Sequence, residues 1–130
     1  MGRYVILRHE CPPEFKPSVH WDLMLEAGNA LRTWALAVEP APGISIAADQ
    51  LPDHRLEYLD YEGPVSGNRG TVIRWDTGWF ELLSESTAEL TVRLMGNRLV
   101  GKARIARTVD KSAPWEFRVV ELSLQKPSME

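Results

Sequence analysis

The eight residues Val19-His20-Trp21-Asp22-Leu23-Met24-Leu25-Glu26 constrain this chain most, because one regular conformation alone sorts their side chains by polarity. In an extended strand, successive side chains point to opposite faces. Trp21, Leu23 and Leu25 then form an apolar face suited to a core, and His20, Asp22, Met24 and Glu26 form the other. A helix would scatter the same apolar positions around its axis, so the period favours a strand. That strand carries an imidazole and a carboxylate two residues apart on one face. The pair reads either as part of a site or as the wet face of an edge strand.

The chain has three histidines, His9, His20 and His54. Tyr4 to His9 reads as an N-terminal strand with His9 at its end. Set beside the His20 strand, it brings His9, His20 and Asp22 around one ion. Two imidazoles and a carboxylate suit Mn, Fe, Co or Zn and leave positions open for water and substrate, the composition of a catalytic centre. Cys11, the single cysteine, is followed directly by Pro12-Pro13 and reads as a buried or idle thiol instead of a fourth ligand. His54 and Tyr58 are four apart and share a face in either a helical turn or a strand.

The rest is a succession of short strands and turns. Pro12, Pro13 and Pro17 make the stretch from Cys11 to Ser18 a loop. Gly28-Asn29 turns the chain into Leu31 to Val38 as a hairpin partner. A second loop runs from Pro40 to Pro52, with room for a helical turn at Ala47 to Leu51. Asp76-Thr77-Gly78 reads as a hairpin connection between Thr71–Trp75 and Trp79–Leu83, and Gly96-Asn97 as another. Trp115 to Leu124 reads as the last strand. This is an all-β chain, and the spacing predicts a small antiparallel β-barrel of about eight strands with one or two short helical turns, since a barrel removes free edges. Its 130 residues make one domain, 1–130.

With 44% hydrophobic and 25% charged residues, disorder is excluded, and no apolar run reaches the length of a membrane span. The apolar piece after Arg3 is broken by Arg8-His9-Glu10, so no signal peptide is read there. One cysteine allows no internal disulfide, which points to the reducing cytoplasm. A net charge of −3 argues against strong non-specific binding to nucleic acid. Between Arg93 and Lys111, however, Arg93, Arg98, Lys102, Arg104, Arg107 and Lys111 face the single acid Asp110. That window is either a phosphate-tracking face or a set of edge-protecting cations.

His9, the strand from His20 to Glu26, Thr33-Trp34-Ala35, the run from Asp53 to Gly63, Gly70-Thr71-Val72 and Trp75-Asp76-Thr77-Gly78 together resemble the 3′-phosphoesterase domain of bacterial DNA ligase D and its stand-alone relatives. The resemblance covers nearly the whole chain in order. It implies a compact β-barrel enzyme, manganese-dependent, that removes a 3′-terminal ribonucleoside and then the 3′-phosphate in DNA repair, leaving a 3′-hydroxyl. It implies His9, His20 and Asp22 as metal ligands, for Mn2+ with Zn2+ or Co2+ as alternatives, and His54 and Tyr58 as the catalytic phosphate-contacting pair. DNA or primer-template 3′ ends are the implied partners. A DNA ligase or polymerase would be a separate protein, and no membrane is involved. Two features depart from the family pattern: Met24 stands where the family strand carries an arginine, and the loop from His9 to His20 is longer. Arg8, Arg69 and Arg74 are the candidates to supply the missing phosphate contact. Two readings from other classes stand beside this one. The first is a catalytically silent module that docks on nucleic-acid ends or on a ligase. The second is a mononuclear iron oxygenase using His20, Asp22 and His54 as a facial triad.

Overall fold

The alternation read at residues 19–26 is repeated around a closed sheet. The computed structural model describes residues 1–15, 18–109 and 114–122, without the side chains of 120–122. Its strands are β1 (Gly2–Glu10), β2 (Val19–Ala27), β3 (Ala30–Leu36), β4 (Ile46–Arg55), β5 (Gly63–Pro64), β6 (Thr71–Glu85), β7 (Glu89–Gly96), β8 (Val100–Arg107) and β9 (Trp115–Leu122). Eight of them form an antiparallel barrel in the order β1-β2-β3-β4-β9-β8-β7-β6, and β6 returns to pair with β1. The two-residue β5 is added to β6. Among the described residues the one helical element is a 3-10 turn, Leu56–Leu59.

Inward side chains such as Tyr4 and Ile6 of β1, Leu23 and Leu25 of β2 and Trp34 of β3 fill the barrel. Trp34 meets Trp115 edge to face at 6.0 Å, a favoured aromatic geometry. The outer face of β1 and β2 is apolar too. Val5, Leu7, Met24, Leu31, Leu59 and Val72 form a second buried cluster, covered by the 3-10 turn. Period-two alternation assigns residues to faces but does not say that a turn will later cover the outer one.

Two expectations are corrected, and a third reading is sharpened. Asp76-Thr77-Gly78 is not a turn: β6 runs unbroken for 15 residues. Asp76 points inward, 2% exposed, and accepts from the Tyr4 hydroxyl at 2.5 Å and from the backbone N–H groups of Asn97, Arg98 and Leu99 at 2.9, 2.8 and 3.1 Å. The carboxylate thus organises the β7–β8 hairpin from mid-strand. Gly78 is needed for close approach, since a Cβ there would lie 2.1 Å from the Met95 carbonyl oxygen. The register against β1 shifts between Ile6 and Leu7, where Trp75 is the extra residue of a bulge. Second, Ala47 to Leu51 is not a helical turn but the middle of β4, which also contains Pro52. Pro52 is accommodated because the β3–β4 register shifts beside it and β4 pairs with β9 only through Ala48. In the basic window, read either as a phosphate-tracking face or as edge-protecting cations, two members are engaged by acids. Arg104 pairs with Glu89 at 2.8 Å and Arg93 with Glu81 at 3.9 Å. These cations sit on β7 and β8, which β6 separates from β1 in the barrel order. Lys111 and Asp110 of that window, and residues 123–124 of the expected last strand, lie outside the described residues.

Candidate functional site

Register builds the site. In the β1–β2 ladder His9 lies opposite His20, Leu7 opposite Asp22 and Val5 opposite Met24. The odd residues of β1 and the even residues of β2 therefore share the outer face, and the two imidazoles stand side by side with ring centroids 4.7 Å apart. Cys11 adds one more rung, because its N–H donates to the Ser18 carbonyl at 2.7 Å. Two residues beyond His9, it shares the same face. The thiol read from sequence as idle therefore joins the group. His9, Cys11 and His20 each offer a ligand atom, all within 4.8 Å of one another. The overlooked signal was the spacing: His9-x-Cys11 repeats His20-x-Asp22 on the neighbouring strand.

Asp22 lies 3.3 Å from His9 Nδ1 through Oδ2 and 3.1 Å from His20 Nε2 through Oδ1. Burial alone would push its carboxyl up, but the two facing imidazoles, His20 and then His9, outweigh this and hold it below the ordinary carboxylate value. The Asp22 bond likewise raises His9, against the opposing effect of burial. The other His9 nitrogen, Nε2, is 2.7 Å from the Arg69 carbonyl oxygen and donates to it. In the neutral ring this leaves the Nδ1 lone pair facing a carboxylate, an arrangement that demands a proton or a cation between them. Asp22 Oδ1 is buried and, despite the nearby imidazole, makes no aligned hydrogen bond. Two imidazoles, one fixed through its far nitrogen, around a carboxylate that keeps one oxygen without a hydrogen bond form a donor set that fits a divalent cation. The Arg69 carbonyl is set by Gly70, whose φ of +93° and close approach to the Glu10 carbonyl oxygen, 1.9 Å from where a Cβ would be, exclude a side chain.

The group lines a cavity of about 650 Å³ that also takes in Met24, His54, Tyr58 and Arg69. His54 lies in the last stretch of β4, beyond the bulge and opposite Leu31, and its Nδ1 donates to the Pro52 carbonyl at 2.9 Å. The 3-10 turn follows directly and brings Tyr58 edge-on to His54 at 5.6 Å, as the spacing of four implies. Tyr61 meets Tyr58 in the same manner at 5.7 Å. Arg69 is held at the wall by Ser66, through the carbonyl oxygen at 2.7 Å and the hydroxyl at 3.2 Å. Met24, 1% exposed, belongs both to the wall and to the outer apolar cluster.

Of the arginines considered for phosphate contact, Arg69 alone lines this cavity. Arg8 has the opposite strand parity to His9; it pairs with Glu10 and lies 6.0 Å from the Trp21 ring. Arg74 donates its backbone N–H to Glu62 at 2.6 Å, and its Nε is buried without a hydrogen bond.

The family described as the DNA ligase D 3′-phosphoesterase domain matches residues 13–107, a span that includes His20, Asp22, His54 and Tyr58 and begins after His9 and Cys11. The multifunctional non-homologous end joining protein LigD of Pseudomonas aeruginosa is 30% identical over 116 residues, covering 82% of this chain and 13% of that protein. The chain thus spans a small part of that relative's length.

Proposed function

The chain belongs to the DNA ligase D 3′-phosphoesterase domain family, and from this premise we propose that it is a divalent-metal-dependent phosphoesterase that processes the 3′ ends of DNA or RNA-tipped primer strands. The observation that supports this reading best is the buried Asp22 carboxylate, which faces one imidazole with each oxygen and keeps one of them without an aligned hydrogen bond, in the cavity that also holds His54 and Tyr58. His9, His20 and Asp22 would hold the ion, Mn2+ by preference with Zn2+ or Co2+ as alternatives. Bound there, a divalent cation supplies Lewis-acid polarisation of a phosphate oxygen or an acidified water.

The chain's own groups do the rest. His54, its Nδ1 engaged by Pro52, presents Nε2. Protonated at that atom, it donates to a phosphate oxygen or passes the proton to the leaving oxygen. The Tyr58 hydroxyl donates without adding charge. Arg69 offers planar donors where Met24 offers none. The same proposal takes residues 1–130 as one domain acting with a ligase or polymerase in the cytoplasm. Among the described residues no helix is long and apolar enough to cross a membrane.

The test is a primer carrying either a 3′-phosphate or a 3′-ribonucleotide, incubated with added Mn2+. The reading predicts a 3′-hydroxyl product, its loss on chelation, and its loss in Asp22→Asn and His54→Ala. Tight binding to ends with no metal-stimulated product would overturn it in favour of a silent docking module.

A further inference from the structure

Cys11 and Asp22 approach one pair of imidazoles from opposite sides. In register Asp22 lies opposite Leu7, two residues before His9, and Cys11 lies two residues after it. The two α-carbons are therefore about four strand residues, ~13 Å, apart along the strand direction. A cysteine and an aspartate side chain joined through two metal–ligand bonds of about 2.0–2.3 Å do not span that distance. Nor does His9 have two lone pairs to share, since Nε2–H is given to the Arg69 carbonyl. Yet the sulfur lies with both imidazoles inside a 4.8 Å group, and Asp22 keeps its unaligned oxygen on the other side.

We propose that the chain carries two overlapping, mutually exclusive metal sites that share His9 and His20. Asp22 completes the side for a harder ion such as Mn2+. Cys11 completes the side for a thiophilic ion, Zn2+ or Cd2+, whose binding displaces the first. Thiolate and imidazole select soft and borderline ions, whereas carboxylate and imidazole suit Mn2+. Cys11 binds as the thiolate, its proton leaving to solvent. The proposal rests on the reading of His9, His20 and Asp22 as the catalytic ion's ligands, and it deepens that reading by making the metal supply a control on activity.

The experiment follows binding and not turnover. Protein-bound Mn2+ is monitored by the loss of its free-ion paramagnetic resonance signal while Zn2+ is added, in the wild-type chain, in Cys11→Ser and in Asp22→Asn. Wild type should release Mn2+ as Zn2+ binds, one for one. Cys11→Ser should hold Mn2+ unchanged and require at least about tenfold more Zn2+, since changes around a ligand alone cost about 10–100-fold in affinity. Asp22→Asn should bind Mn2+ poorly yet still show the near-ultraviolet sulfur-to-cobalt band on adding Co2+. Unaltered Zn2+ displacement in Cys11→Ser, or no such band, overturns the thiolate side and leaves the Asp22 side standing. Failure of wild type to bind Mn2+ while the band is present overturns the Asp22 side, and with it the overlap.

Discussion

Asp22→Asn in the metal-free protein isolates what the carboxylate does for the fold. Asparagine keeps the shape and removes the charge that the two imidazoles share. A charge-assisted hydrogen bond contributes about 1.5–3 kcal/mol, and because part of the His9 ring is open to solvent the lower half of that range applies. For a chain of this size each kcal/mol moves Tm by about 4 °C. The pH dependence is the sharper test. Asp22 is held below its ordinary value of 3.8, so its contribution is present above that pH and is lost as pH falls through the folded value. His9 is raised above 6.5, so its contribution is complete below that pH and is lost as pH rises through the folded value. The difference between wild type and variant should therefore be greatest between 3.8 and 6.5 and shrink on both sides. Thermal melts of both proteins in chelator across this range measure it. A difference that stays constant from about pH 4 to about pH 8.5 would refute the reasoning, because only a titrating pair produces the peak.

Met24→Arg restores a fork of donors to the cavity and should raise turnover on a 3′-phosphate. It also removes a fully buried apolar side chain, lowering stability by about 1.5–3 kcal/mol in a urea melt. Equal turnover with the metal site intact would mean that Arg69 already fills the role. Asp76→Ala leaves the Tyr4 hydroxyl and three backbone N–H groups without their acceptor and should cost about 3–5 kcal/mol, against about 1 kcal/mol for Tyr4→Phe. Gly70→Ala cannot keep the close approach to Glu10, so the Arg69 carbonyl should leave His9 and the affinity for added Mn2+ should fall about tenfold or more. Arg104→Glu breaks an ion pair on strands that β6 separates from β1 and should leave end binding and its salt dependence unchanged.

The barrel and its strand faces were legible in the sequence wherever one face alone is buried. The placing of Trp21, Leu23 and Leu25 toward a core and of His20 and Asp22 away from it follows from period two, as does the spacing of His54 and Tyr58. What misled were residues whose turn chemistry serves another purpose. Asp76 and Gly78 have the composition of a connection, but the carboxylate caps the β7–β8 hairpin 21 to 23 residues further on and the glycine admits a neighbouring backbone. Pro52 signals a break, but a bulge beside an unpaired stretch of β4 absorbs it. Pro12 and Pro13 made Cys11 look like loop, although its own N–H still belongs to the ladder. Each case depends on a partner distant in sequence, which local pattern does not contain.

The same limit explains how β1 keeps the register on which the site depends. Tyr4-Val5-Ile6-Leu7 is apolar on both faces, Tyr4 and Ile6 inside the barrel and Val5 and Leu7 under the 3-10 turn. A slip of one residue would exchange the two sets, and hydrophobic burial alone would scarcely resist it. Polar groups must supply the penalty. Slipped by one, Tyr4 would carry its hydroxyl out of reach of Asp76, leaving a buried carboxylate without that donor. His9 would turn toward the barrel and leave Asp22 without its imidazole. The bulge at Trp75 fixes the same register from the β6 side. The buried Asp76 hub and the candidate metal centre therefore lock one strand from its two faces. The centre owes its geometry to a buried contact near the other end of β1, so Tyr4→Phe should loosen the register of β1 as well as remove a hydrogen bond.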